Sequence, residues 1–288
     1  MNKRLKASFV PSGNFGDFSN PYMLHKLKIP FIFTHHTVEK KVCMTGSVLG
    51  VGAKKNTVIW GTGIIHNGIS AHPEAIYLAV RGPRTMEKLH KAGIDTTNVA
   101  MGDPCLLINK VYQPNVEKKY KLGIIPHMID MKFYLDYFKE NKEKFPNTII
   151  IDPNRRADNI EQFIDQVNQC EKIVSTAMHG IICAHAYGVP AIWSKIGNRL
   201  YGDDVKFYDY FESHGVYGVT PIGFVENEEV EVPELKSTLD LNKLWNCRPW
   251  QNLSDDYYVD LDDENWIKHC YPEGYNEKIH TDKDFNFK

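Results

Sequence analysis

The feature that most constrains this chain is an alternation. Short apolar runs of strand length are separated by stretches whose hydrophobic residues recur every three or four positions, and glycine or proline stands at most joints. Strands separated by helices cannot pair through tight hairpins. They are driven into parallel sheets, with the helices covering the faces. The pattern predicts strands at 5–10, 57–60, 75–80 and 99–101. After a polar, proline-containing stretch at 110–120 it predicts further strands at 122–125, 148–152, 172–175 and 191–194. Helices are expected at 133–140, 160–169 and 179–187. Another is opened by Pro83, carries Met86, Leu89 and His90 at i, i+3, i+4, and closes at Gly93. In the first unit Asn20 is expected to cap a helix with Pro21 at its first position. The reading is an α/β protein with two βα arrays, 1–115 and 116–235. They face each other across a cleft at the C-terminal ends of their strands, where ligands of open α/β sheets bind. Residues 236–288, acidic and aromatic, are read as an extension that folds back on the first array.

Composition narrows the function classes. A chain of 288 residues with 42% hydrophobic and 24% charged residues can bury a full core without disulfides or metal. The net charge of −2 argues against a nucleic-acid binder, which would be basic on one face. Between residues 226 and 264 there are 12 acidic residues and three basic ones, so the remainder is net positive and suits an anionic ligand. The six cysteines are scattered with no C-x-x-C pair, which points away from zinc and toward a reducing cytoplasm. Cys43, Cys105 and Cys183 sit in apolar runs and are expected to be buried thiols. The basic first residues have no apolar stretch behind them, so no secretory leader is expected, and no run approaches the ~18–20 apolar residues of a membrane span.

Six places in the sequence could carry chemistry, the first three most strongly. Ser175-Thr176-Ala177-Met178-His179-Gly180 lies between a strand and a helix, which puts His179 near a helix N-terminus. Free N–H groups and the positive dipole end favour a phosphate or carboxylate there. A histidine in that place can bind the anion and exchange a proton, or it can merely cap the helix. In Val80-Arg81-Gly82-Pro83-Arg84-Thr85 a guanidinium stands at a strand end, able to grip a carboxylate through two hydrogen bonds or to pair with a surface acid. In Asn14-Phe15-Gly16-Asp17, Asp17 can engage a sugar hydroxyl or bond its own turn. Gly61-Thr62-Gly63 resembles many strand–helix turns. His127 ends the first strand of the second array, and Lys206 places a cation among Phe207, Tyr208, Tyr210 and Phe211. His25, His35, His36, His66, His72 and His90 show no metal-ligand spacing.

At these motifs the sequence resembles the polysaccharide pyruvyl transferase family. The matching pieces come in the family's order: Asn14-Phe15-Gly16-Asp17 with Asn20-Pro21, Trp60-Gly61-Thr62-Gly63, Val80-Arg81-Gly82-Pro83-x-Thr85, Gly102-Asp103-Pro104, Pro126-His127, Ser175-x-x-Met178-His179-Gly180 and Lys206-Phe207-x-Asp209-Tyr210-Phe211. They span residues 14–211. The resemblance implies two Rossmann-like domains in a GT-B-type arrangement. It implies phosphoenolpyruvate as donor, a sugar of a glycan or its precursor as acceptor, and a cyclic pyruvate ketal as product. One departure stands out. Many family members carry Arg two residues before the motif histidine, where this chain has Ala177. Lys206 and Arg199 are the candidates to supply the missing charge.

The expectation is therefore a pyruvyl transferase with His179, Asp17 and Arg81 as its reactive set. His179 would be the acid–base group or a phosphate ligand, Asp17 would position or deprotonate the acceptor, and Arg81 would hold the donor carboxylate or phosphate. Asn14, Gly16, Gly61, Gly63, Arg84, His127, Ser175, Met178, Gly180 and Lys206 complete the expected substrate contacts, with no metal and no cofactor beyond the donor itself. Lys206 is expected to aim its ammonium at the cleft, the competing arrangement being a surface pair with Asp209 or Asp203. Two other functions fit the same fold: a glycosyltransferase using a nucleotide-sugar, and a non-catalytic glycan-binding relative. A lipid-linked acceptor would bring the protein to the inner membrane face without a span of its own.

Overall fold

The computed structural model describes residues 3–154, 159–261 and 269–270. Parts of the expected C-terminal extension, 262–268 and 271–288, lie outside the described residues. The first sheet is built from β1 (Lys3–Ser8), β2 (Phe31–Phe33), β3 (Val42–Cys43), β4 (Val58–Trp60), β5 (Ile76–Val80) and β6 (Ala100–Met101), all mutually parallel. The second contains β7 (Tyr120–Ile125), β8 (Thr148–Ile150), β9 (Cys170–Ser175) and β10 (Ala191–Trp193), parallel in the order β10-β9-β7-β8. A last strand, β11 (Tyr258–Asp260), returns antiparallel to β1 and completes the order β11-β1-β3-β4-β5-β6, with β2 also pairing β1. The chain is thus mixed α/β with parallel sheets, as the alternation predicts; its helices include the short α2 (Leu49–Gly52) after β3 and α4 (Met131–Glu140) after β7.

The first helix corrects one expectation. α1 (Phe15–Lys26) begins before Asn20, with Asn14 as N-cap accepting a hydrogen bond from the Asp17 amide at 3.0 Å. Pro21 falls inside the helix. A proline there removes the N–H that would bond the carbonyl four residues earlier, that of Asp17. The Asn20 side-chain amide takes over, donating to the Asp17 carbonyl at 3.0 Å and to the Thr45 carbonyl at 3.2 Å. The Asn-Pro pair is a repaired helix interior and not a helix start. α3 (Pro83–Lys91) does start at Pro83, with Leu89 buried, and Gly93 beyond its end has φ +72°.

One continuous apolar core runs between the two sheets. The Phe15 ring stacks on Phe163 of α5 (Ile160–Asn168) at 4.3 Å, and both are almost fully buried, each contributing about 1.5–3 kcal/mol. α6 (Met178–Ala186) packs against the 3-10 turn Pro104–Lys110, joining Ile181, Ile182 and Cys183 to Cys105 and Leu106. α7 (Val205–Ser213) follows the second sheet in sequence but bridges the halves. Phe207 stacks on Trp193 of β10 at 4.3 Å, while Asp209 and Glu212 reach back to α3 and the strand before it. α8 (Leu241–Asn246) closes the first sheet, its Leu244 carbonyl accepting from Trp60 Nε1 at 3.0 Å. Cys43, Cys105 and Cys183 are buried free thiols. No helix among the described residues is long and apolar enough to cross a membrane.

Candidate active site

The loops that follow parallel strands all open at the same sheet end, so residues distant in sequence meet there. A cavity of about 150 Å³ lies between the halves. Its wall includes Asn14, Gly16 and Asp17 from the start of α1, Gly46 and Ser47 after β3, and His127 after β7. Ala177, Met178, His179 and Gly180 from the start of α6, and Lys206 from α7, complete that ring of polar and small groups. Two helix N-termini therefore converge, where first-turn amides lack intrahelical carbonyls; in α1 the Phe15 amide is taken by the Pro153 carbonyl at 2.7 Å and the Asp17 amide by Asn14 at 3.0 Å, which leaves that of Gly16. Ala177 brings no capping side chain to α6, so the Met178 and His179 amides stay available to a ligand. Among the described residues no three His, Cys, Asp or Glu side chains gather as a metal site would require.

Each polar side chain has a physical reason for its place. Asp17 accepts hydrogen bonds from the Ser12 hydroxyl and the Asn14 amide, both on Oδ2. Burial raises its carboxyl above the usual range, against the pull of Ser12, His179, Asn14 and Lys206. The His127 amide donates to Thr176 Oγ1 at 2.7 Å, and Thr176 in turn donates to buried Asp130 at 2.8 Å. His127 Nδ1 accepts from the Ile129 amide at 3.3 Å, so the neutral ring carries its proton on Nε2. Burial, then the nearby Lys206 charge, holds His127 below the ordinary imidazole range.

Lys206 has no carboxylate partner among the described residues. Asp209 is taken by Arg81 and by Thr85, whose amide and hydroxyl donate to it at 2.9 and 2.6 Å. Asp203 is taken by Asn67, at 2.8 and 2.9 Å. Burial, and then the Arg81 charge, brings the Lys206 ammonium down to about 8, with Asp204 and Asp17 opposing. Arg199, the other candidate for the charge absent at Ala177, bonds Asp130 at 2.7 Å and does not line the cavity.

His179 stands at the centre. Its ring lies flat on Gly16, where a Cβ would come within 2.1 Å of Nδ1; only glycine leaves room. Its Nε2 is buried, 3.6 Å from Oδ2 of Asp103, a residue that does not line the cavity.

Five expected contacts lie elsewhere. Arg81 is fully buried and does not face the cavity. Its Nε donates to Asp209 at 3.1 Å, Nη1 to Ser47 Oγ at 2.6 Å and Nη2 to the Ile64 carbonyl at 2.7 Å. With its fork spent on the protein it cannot grip a donor directly, although Ser47 lines the cavity. Arg84 makes a bidentate pair with Glu212, at 2.9 and 2.6 Å, and covers the Tyr208 ring. Gly63 is the floor under the Arg81 guanidinium, and Gly61, at φ +87°, lets Pro104 approach. Ser175 Oγ bonds the Ile125 carbonyl at 2.8 Å, holding the β9–α6 turn. Sequence reading missed Ser47, a lone serine in a glycine-bordered loop, and assigned no role to Asp103 although it stands in a quoted motif.

The family model described as polysaccharide pyruvyl transferase matches residues 7–195. The chain is 33% identical over 228 residues to "Uncharacterized protein L143" of Acanthamoeba polyphaga mimivirus, covering 72% of this chain and 73% of that protein. Among solved structures, the protein KP1_0663 from Klebsiella pneumoniae subsp. pneumoniae NTUH-K2044 aligns over 73% of this chain and 88% of its own. That alignment has a TM-score of 0.44 and 12% identity.

Proposed function

The chain belongs to the polysaccharide pyruvyl transferase family, and from that premise we propose that it moves pyruvate from phosphoenolpyruvate onto two hydroxyls of a glycan sugar. The product is a cyclic ketal and inorganic phosphate. The observation that carries this reading is the meeting of two helix N-termini, Lys206, His127 and His179 on one cavity that also contains Asp17. That is a cradle for a compact, highly charged anion beside an acid–base pair. Its volume, about 150 Å³, falls below the ~300–1,000 Å³ typical of drug-sized ligands, which favours a three-carbon donor over a nucleotide-sugar.

The residues divide the work as follows. The Gly16 amide of α1, the Met178 and His179 amides of α6, the Lys206 ammonium and the His127 Nε2–H hold the phosphate and carboxylate. One acceptor hydroxyl adds to C2, giving up its proton to a base. The proton that the base takes from the attacking hydroxyl is delivered to C3, which turns from a vinyl carbon into a methyl group as C2 is attacked. The C2–O bond to phosphate breaks, and the second hydroxyl closes the ketal, its proton leaving with the phosphate. His179 is the group placed to carry protons at C3 and at the attacking oxygen. Asp17, with a carboxyl raised by burial, orients the acceptor hydroxyl.

The test is direct. Purified protein is incubated with phosphoenolpyruvate and a panel of oligosaccharide and lipid-linked acceptors, and phosphate release and acceptor mass gain are followed. Acceptor-dependent phosphate release, lost about 10²–10⁴-fold in His179→Ala, is expected. No release across the panel, with thermal stabilisation by nucleoside diphosphates and none by phosphoenolpyruvate, would replace this reading with a glycosyltransferase.

A further inference from the structure

Asp103 sits at the N-cap of the 3-10 turn Pro104–Lys110 and is wholly excluded from solvent. Its two carboxylate oxygens have different fates. Oδ1 accepts the Cys105 amide at 3.0 Å, which is ordinary capping. Oδ2 is buried without a hydrogen-bond partner, and so is Nε2 of His179. These two orphaned atoms face each other at 3.6 Å, a few tenths beyond the ~2.7–3.2 Å of a hydrogen bond. Buried polar atoms are almost always satisfied, so two complementary ones left facing each other are a pair. The other nearby donor is already engaged. The Tyr210 hydroxyl meets His185 Nδ1 at 2.8 Å, and His185 Nε2 gives its proton to the Ala191 carbonyl at 3.2 Å, which fixes Tyr210 as the donor in that pair.

We infer that Asp103 is the positioning residue of the reaction: it holds the His179 ring with Nε2–H directed at its carboxylate and the Nδ1 lone pair directed into the cavity. Gly16 packs against the ring beside Nδ1 and offers it no side chain, and among the described residues Nδ1 makes no hydrogen bond to protein. When Nδ1 takes a proton from an acceptor hydroxyl, the hydroxyl oxygen keeps the electron pair that attacks C2, and the ring becomes an imidazolium. Its charge then sits against the Asp103 carboxylate in a water-poor interior, where such an interaction is strong. The ring passes that proton from Nδ1 to C3 of the donor, which becomes the methyl carbon, and resumes the same tautomer. This assignment rests on the pyruvyl-transfer reading, but the geometry of the pair can be tested without it.

The test has a spectroscopic and a kinetic arm. The ¹⁵N shifts of His179 in the full-length protein, assigned by comparison with His179→Ala, are expected to show a neutral ring protonated at Nε2. In Asp103→Asn, which retains an acceptor for the Cys105 amide, they are expected to move toward the Nδ1-protonated form. In the kinetic arm kcat of Asp103→Asn falls on the order of 10²-fold with KM for phosphoenolpyruvate little changed. Asp103→Asn adds almost nothing in the His179→Ala background, because the two act as one unit. A wild-type ring protonated at Nδ1 overturns the proposal. So do unchanged shifts in Asp103→Asn, or an equal loss in both backgrounds, since that marks a merely structural role. Wild-type protein that shows the expected tautomer but no phosphate release would sink the pyruvyl-transfer reading and leave the pair standing. Should Asp103→Asn fail to fold, the wild-type tautomer still decides.

Discussion

Arg81 and Asp209 lie 3.1 Å apart, Nε to Oδ2, both entirely out of solvent although 128 residues separate them. This pair pins α7 to the end of β5, and α7 carries Lys206. Asp209 also accepts from Thr85, and Arg81 also holds Ser47 and the Ile64 carbonyl, so each guanidinium nitrogen and each carboxylate oxygen of the pair has a partner. A buried pair stripped of one member leaves an uncompensated charge, at a cost of about 3–5 kcal/mol. Arg81→Met is expected to lose that much in urea unfolding and to raise KM for the donor, because Ser47 and Lys206 both lose their anchor. Arg81→Lys should recover little, since an ammonium cannot span the three partners.

Gly16 supports the site by having no side chain. Its backbone is helical, and alanine is intrinsically better there by about 0.5–1 kcal/mol. An added Cβ, however, would stand 2.1 Å from His179 Nδ1 and 2.3 Å from its Cγ, so the ring must leave. Gly16→Ala is expected to lose turnover as severely as His179→Ala, about 10²–10⁴-fold, and to lose about 1–3 kcal/mol from overpacking, which exceeds the helix gain. A variant that keeps full activity would show that the ring does not work from this position.

The Asn20–Pro21 repair makes a prediction of its own. With the proline N–H absent, the Asp17 carbonyl depends on the Asn20 amide at 3.0 Å. Asn20→Ala orphans that buried carbonyl and is expected to cost about 1–3 kcal/mol. Pro21→Ala restores the backbone donor, so the double variant should be more stable than Asn20→Ala alone. The denaturant midpoints of the four proteins in the cycle check this.

How much of this was legible in the sequence depended on distance along the chain. Asn14, Asp17, His127, Met178 and His179 meet at one cavity because each follows a parallel strand, and the strands' positions and parallel pairing can be read from the alternation. β2 and β3 escaped notice since runs of three and two residues have no periodicity to detect. α7 was read as an aromatic cluster around a cation, and its helical pattern went unrecognised. Arg81 and Arg84 were assigned to substrate because their partners, Asp209 and Glu212, lie on that unread helix. Asp103 looked like turn punctuation in Gly102-Asp103-Pro104; its partner His179 is brought to it only by the packing of α6 on the turn that Asp103 caps. A guanidinium or carboxylate reveals its role only when the fold shows what else is in reach.

Lys206 offers two readouts with opposite signs. Burial and the Arg81 charge bring its ammonium from 10.5 down to about 8. Between those values the unfolded chain binds a proton that the folded chain has released, so stability rises with pH across that window. Below pH 8 both forms are protonated, and the folded state bears the whole desolvation penalty. Binding of an anion runs the other way, because the charge that attracts it disappears above pH 8. Donor affinity, followed by isothermal titration calorimetry, is therefore expected to fall between pH 7 and 9 while the urea midpoint climbs from pH 8 toward 10. Lys206→Met removes both dependences at once. It should be more stable than wild type at pH 7, show no further gain above pH 8 from this position, and bind phosphoenolpyruvate weakly at every pH. If the variant binds the donor as tightly as wild type, the charge that family relatives place two residues before the motif histidine is not supplied by Lys206.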